Sequence, residues 1–294
     1  MTSVFRLGLG AQTSLMQSQL SDIRQRIRTV EQQSITGLKL IDPSDMPNAL
    51  GEVDALEASI KDQGQWQNNA SFAISVQNTA DGVLGEVSDL LARARELAVL
   101  GANEAGVGTE RAQLAEEVAQ IRESLISTAN TQFGDRYIFG GQAYGRPPFG
   151  DDGTWMGDNS TATVRIGPNN FTEAGWNGEA IFAGSGSPLD ALADLEAALS
   201  SDDADAVAAT LTQLDGAIDQ VISSRAGIGL STARAESAAT VARNLELALE
   251  ERKAALVEAD QFETYTELAN LRVAFEGALQ VTASTVRTNL FNLL

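Results

Sequence analysis

Residues 16–30 read MQSQLSDIRQRIRTV. Met16, Leu20, Ile23, Ile27 and Val30 recur there at 4-3-4-3 spacing, which sets them on one narrow helical seam, with Arg24, Arg26, Arg28 and Glu31 largely off it. A seam that narrow wants a partner helix. At the other end Leu268, Leu271, Phe275, Leu279, Val286, Leu290 and Leu293 form a similar stripe, although the four-residue step from Phe275 to Leu279 departs from the repeat like a stutter. Both ends of the chain are therefore expected to be helices whose apolar stripes need cover.

Inward from the ends the same periodicity continues. Leu84, Val87, Leu91, Ala94 and Ala98 define one stripe and Leu114, Val118, Ile121 and Leu125 another, separated by GANEAGVG at 101–108, a helix-breaking text that predicts an antiparallel hairpin. Val207, Leu211, Leu214, Ile218 and Ile222 make a fifth stripe, and Leu245, Leu249 and Leu256 a sixth. Pro43 and Pro47 interrupt the first helical region, with Asp45 placed to cap a helix that starts at Pro47.

The segment 141–187 differs. It holds Pro147, Pro148 and Pro168, two of the three tryptophans, and short β-prone runs at Thr161–Ile166 and Glu179–Phe182 between Gly, Asn and Asp turns. The expected fold is mainly α, an elongated antiparallel helical bundle or coiled coil with its N- and C-terminal helices paired, plus a small β-rich insertion. The expected domains are a terminal coiled coil (1–42 and 252–294), a central helical rod (43–140 and 188–251) and an outer β-rich domain (141–187).

Composition narrows the function. The 294 residues include no Cys and no His, which removes thiolate nucleophiles, imidazole bases, disulfides and nearly every transition-metal site. Forty acidic against twenty basic residues give a net charge of −20, so nucleic acid and anionic membrane surfaces are repelled. Residues 188–222 carry eight acids and no base, which reads as a solvated face. No stretch approaches the roughly 20 apolar residues of a membrane span, and the N-terminus lacks the layout of a cleaved signal peptide.

Four small motifs have alternative readings. Gly8-Leu9-Gly10 and Gly227-Ile228-Gly229 lack the full phosphate-loop fingerprint and read as flexible or turn glycine. Asp151, Asp152, Asp158 and Asn159 are oxygen donors of the kind calcium takes, but their spacing does not fit an EF-hand loop and the same residue types mark β-turns. Asn69, Asn159 and Asn170 match the N-glycosylation pattern, as chance alone allows. No pair among the forty carboxylates stands out for acid–base catalysis, so no catalytic residue, metal site or cofactor is assigned.

The ordered motifs are more specific. SITGLKLIDPSDMPNAL at 34–50 resembles the segment of bacterial flagellins in which a Thr-Gly turn precedes Pro-Ser-Asp-x-Pro. NTQFGDRYIFGGQAYGRPPF at 130–149 resembles the text that closes the central hairpin in the hook-associated branch of that family. Trp155–Asp158, Val164–Gly167 and Asn177–Phe182 are similar to that branch's small β domain, and Arg225–Gly229 with Arg234, then the ending Leu290–Leu294, resemble the return into the last helices. Met46 and Leu38 depart from the pattern.

The resemblance implies an extracellular structural subunit of the bacterial flagellum at the hook–filament junction, exported without a cleaved signal peptide, that templates filament growth and is not an enzyme. It implies self-association in a ring and contact with the hook-proximal junction protein, flagellin and a flagellar export chaperone, and neither nucleic acid nor membrane as partner. The residues expected at the assembly interface are Leu20, Ile23, Ile27, Val30, Phe275, Leu279, Val286 and Leu290. A short flagellin that forms the filament itself is the alternative within the family. Outside it, a cytoplasmic coiled-coil adaptor is the other reading.

Overall fold

The computed structural model describes residues 2–39, 47–103, 108–184 and 186–291, with the side chains of 2–13, 47–49, 108–109, 286 and 288–291 outside the description. The elements are α1 (Thr2–Thr36), α2 (Pro47–Gly101), α3 (Gly108–Ala129), β1 (Gln132–Phe133), β2 (Arg136–Tyr137), β3 (Ala162–Gly167), β4 (Asn170–Gly175), α4 (Glu179–Phe182), α5 (Pro188–Ser200), α6 (Ala204–Val257) and α7 (Gln261–Phe291). About three quarters of the described residues are helical. It divides into two compact units, one of residues Met1–Ile60 and Leu247–Leu294 and one of Lys61–Glu246, with α2 and α6 contributing to both. The divisions fall inside unbroken helices, between Ile60 and Lys61 of α2 and between Glu246 and Leu247 of α6.

The unit Lys61–Glu246 is organised by a heptad pattern on α2. Gln63, Ala70, Gln77, Leu84, Leu91 and Ala98 stand seven apart and are all buried, as are Ala73, Ala80, Val87 and Ala94. Small residues at half of these positions let the neighbouring helices approach closely. On α6 the buried face is Val207, Thr210, Leu214, Ala217 and Val221, while Ile222 is 53% exposed. The expected stripe there followed the large residues and so drifted off the seam, which alanine and threonine occupy. The stripe on α3 lies as expected, with Val118, Ile121 and Leu125 buried.

Helix α5 lies inside the acidic run. Leu189, Leu192, Leu195 and Leu199 are buried against the core that includes Val118 and Leu125 of α3, while every acid of 188–222 is exposed except the half-buried Glu196. At the α2–α3 turn a side chain on Gly101 would collide with Leu199. There Arg111, its side chain 8% exposed, donates Nε to Gly101 O (2.8 Å), Nη2 to Asn103 O (3.0 Å) and Nη1 to Asp202 Oδ1 (2.6 Å). Asp202 sits at φ 60°, a left-handed conformation that Asp tolerates better than most residues.

Residues 141–187 are not a separate body. Phe149, Trp176, Ile181 and Phe182 belong to the same buried cluster as Leu84 and Leu125, and Asn130, just past α3, holds Phe149 by both backbone groups (Nδ2 to O, 2.9 Å; N to Oδ1, 2.9 Å). Strands β3 and β4 pair antiparallel and lie against α2: Asn69 Nδ2 donates to Arg165 O (2.7 Å), and buried Gln77 donates Nε2 to Thr172 Oγ1 (3.0 Å) and Glu173 O (2.8 Å). A hairpin this small has too little core of its own and borrows one from the helices. The run Glu179–Phe182 is one turn of helix rather than strand, because Asn177 Oδ1 accepts Glu179 N (2.9 Å) and turns the chain while Ile181 and Phe182 both go into the core.

Candidate assembly interface

The terminal helices α1 and α7 are joined at a fixed point. Gly37, at φ 70°, ends α1 and lets Leu38 bridge Glu258 antiparallel, with Lys39 N donating to Val257 O (2.6 Å) and Ala259 N to Gly37 O (2.9 Å). Asp260 then starts α7, its Oδ1 accepting the amides of Phe262 (2.8 Å) and Glu263 (3.2 Å). From that bridge the helices run back along each other antiparallel. Arg26 pairs with Glu267 (2.9 Å), Arg272 with Glu31 (2.8 Å), and the Arg24 guanidinium lies 5.2 Å from the centre of the Phe275 ring.

Leu20, Ile23, Ile27, Val30 and Phe275 all lie on the half-buried strip where α1 and α7 meet. Val30 alone of these is fully buried. Leu279 is 40% exposed, and Val286 and Leu290 lie outside the described side chains. The half-buried or buried line on α7 is Thr264, Leu268, Leu271, Phe275, Ala278 and Thr282, an unbroken 4-3-4-3-4 repeat. What reads as a stutter is a handover: after Phe275 the seam continues in small residues, while the large apolar residue Leu279 stands one position off it. Opposite Ala278 and Thr282, the side chains of Met16, Leu20 and Ile23 line an open apolar groove of about 410 Å³.

A second set of apolar side chains, which seam spacing alone does not single out, faces solvent. Leu15 (60% exposed), Ile35 (84%), Phe262 (81%), Val273 (71%) and Val281 (54%) belong to this group. Their signal in the sequence is a large apolar residue one or two positions off an otherwise regular heptad. Exposed apolar side chains beside a half-closed seam suit the docking of further helices.

The other candidate motifs resolve into local structure. Gly227 and Gly229 stand inside α6, correcting their reading as turn glycine, because the helix is held on both sides of them by buried Val221, Ile228, Ser231 and Ala235. Asp152 Oδ1 accepts Thr154 N (2.9 Å), Asp158 Oδ1 accepts Ser160 N (2.7 Å) and Asn159 Oδ1 accepts Trp155 Nε1 (3.0 Å), so these oxygens stabilise turns. The hydrogen bonds from Thr154 and Ser160 hold both Asp carboxyls below their ordinary range. Thr172 of the Asn170 sequon is buried on Gln77. Among the described residues no group of three or more acidic side chains converges as a metal site, and no helix is long and apolar enough to cross a membrane.

Comparison with known proteins places this geometry. The bacterial flagellin N-terminal helical region matches residues 10–143 and the C-terminal helical region residues 211–294. The flagellar hook-associated protein 3 of Escherichia coli is 24% identical over 288 residues, covering 89% of this chain and 91% of that protein. Among solved structures, FlgL of Bacillus cereus superposes with a TM-score of 0.60 at 25% identity, covering 68% of this chain and 99% of that one. The flagellar junction protein FlgL of Legionella pneumophila shares the fold at 14% identity, with a TM-score of 0.53 over 63% of this chain and 99% of that one.

Proposed function

The chain belongs to the bacterial flagellin family, and from that premise we propose that it is a structural subunit of the flagellum that forms the junction between hook and filament and templates filament assembly. The observation that carries this reading is the α1–α7 pair: heptad-spaced on both helices, joined at the Leu38–Glu258 bridge, and left half-open along its length. Neighbouring copies in a ring close the open strips of α1 and α7, including the groove over Leu20 and Ile23. Each apolar side chain covered in this way contributes about 1.5–3 kcal/mol before ordering costs.

The further contacts of this role are with the hook-proximal junction protein on one side and flagellin on the other. Before assembly an export chaperone covers the half-open seam, and the chain leaves the cell through the flagellar channel. The mechanism is mechanical, not enzymatic: folding of the terminal pair is completed by placement among its neighbours.

Immunoelectron microscopy on intact flagella tests the reading. Label confined to the hook–filament boundary, at a few copies per flagellum, is the expected result. Label along the whole filament would assign the chain to the filament instead.

A further inference from the structure

Of the asparagines in the chain only Asn177 is followed by glycine. Asn-Gly is the dipeptide most open to spontaneous deamidation, because glycine has no side chain to hold its amide nitrogen off the carboxamide and lets the backbone reach the attacking geometry. The fold requires both residues all the same. A Cβ on Gly178 would lie 2.7 Å from Phe139 O and 2.9 Å from the Trp155 ring, and Asn177 Oδ1 accepts the Glu179 amide (2.9 Å) at the start of α4.

The same contacts shut the reaction off. Gly178 N, the nucleophile, donates to Phe139 O (2.9 Å), and Gly178 is buried. Asn177 bridges Gly140 antiparallel, with Trp176 N on Ile138 O (2.9 Å) and Gly141 N on Trp176 O (3.0 Å). Phe139, Trp176 and Phe182 beside this turn belong to the buried cluster of the unit Lys61–Glu246, so the attacking geometry is reached only when that packing opens.

We propose that Asn177–Gly178 is a deamidation site that folding closes and unfolding opens, so that a chain left unfolded is modified there and no longer completes this unit. In the unfolded chain Gly178 N loses its proton to hydroxide and bonds to Asn177 Cγ. The Cγ–Nδ2 bond breaks, and Nδ2 takes a proton from water and leaves as ammonia. Water then opens the succinimide ring. Addition at Cγ leaves an ordinary aspartate, whereas addition at the backbone carbonyl carbon of residue 177 leaves an isoaspartyl link with an extra main-chain carbon. That lengthened link moves Gly178 N out of step with Trp176 N, and the paired bonds to Phe139 and Ile138 do not re-form together. The inference stands apart from the junction reading.

Full-length protein is incubated at mildly alkaline pH, folded in buffer or unfolded in guanidinium chloride, and mapped by peptide mass spectrometry. In the unfolded chain the exchange of NH2 for OH is expected at Asn177 ahead of every other asparagine. In the folded chain it should be at least about a hundredfold slower, the factor set by an opening free energy of ~2.8 kcal/mol. After removal of the denaturant, the isoaspartyl fraction should not regain cooperative unfolding by circular dichroism. Asn177→Ser keeps an oxygen acceptor but has no carboxamide, and should refold as well after the incubation as before it.

Equal rates in the folded and unfolded chain, or another asparagine reacting first, would overturn the proposal. So would native refolding of the isoaspartyl fraction, or the same loss of refolding in incubated Asn177→Ser.

Discussion

The two units use the same heptad grammar to different ends. Between Lys61 and Glu246 the repeat on α2 is closed on all sides, with Leu84, Val87 and Leu91 at 0% exposure, because α3, α5, α6 and the segment around Phe139 and Phe149 contribute to one core. In the α1–α7 pair only Val30 and Thr264 are buried among the described side chains of the two helices. Two helices alone cannot surround a seam, so identical spacing yields a finished core in one place and an unfinished surface in the other. Heptad spacing therefore says where apolar residues line up, and the number of surrounding elements says whether they are covered.

Substitution in the closed unit should have the largest effect on stability. Phe139 is 0% exposed and packs edge-on against Phe182 with ring centres 4.9 Å apart. Phe139→Ala is expected to cost about 3–5 kcal/mol of unfolding free energy in urea denaturation. A cost below about 1 kcal/mol would mean that the aromatic cluster is dispensable and the contrast overstated.

Asn130→Ala should come next. It leaves the amide and carbonyl of Phe149 without their partner, at a cost of about 1–3 kcal/mol, and the same denaturation measurement reads it. Asn130→Asp keeps an acceptor for the Phe149 amide but loses the donor, and should fall between the two.

Ile27→Asp and Leu279→Asp change exposed or half-buried positions of the open pair. In the isolated chain they should shift unfolding of the closed unit by less than about 0.5 kcal/mol. In cells they should abolish incorporation into flagella, scored on purified filaments with their hooks attached. Normal incorporation of both variants would remove the terminal strips from the assembly mechanism.

The smallest effect is electrostatic. Hydrogen bonds from Thr154 to Asp152 and from Ser160 to Asp158 lower the carboxyl pKa values in the folded state. A depressed folded pKa contributes stability above the ordinary Asp range, and that contribution is lost as pH falls through the lowered values. Asp152→Asn and Asp158→Asn should leave stability near neutral pH almost unchanged while flattening its decline under acid conditions. A stronger pH dependence in the variants would reverse the sign.

Much of this was legible before the structure. Helix α2 starts at Pro47 as the proline spacing implies, α3 carries Val118, Ile121 and Leu125 as its buried stripe, and β3 covers most of the run from Thr161 to Ile166. Where reading by large apolar residues failed, small or polar residues held the seam. Thr210 and Ala217 on α6 and Ala278 and Thr282 on α7 are silent in a hydrophobicity pattern but mark where a neighbouring helix comes close. The β-prone composition of 141–187 identified a different texture without revealing that Phe149 and Phe182 enter the helical core, since pairing of Asn130 with Phe149 is a contact across 19 positions.

Amide hydrogen exchange on the full-length, verified monomer tests the central claim most directly. Protection close to the global unfolding free energy is expected across 80–98, 114–126 and 207–221, and exchange within seconds to minutes across 14–36 and 261–285, where the pair has no third element to close it. On assembly into flagella the two terminal segments should become as protected as the core. Equal, strong protection of both regions in the monomer would show that α1 and α7 form a finished intramolecular core, and would contradict folding completed by neighbouring copies.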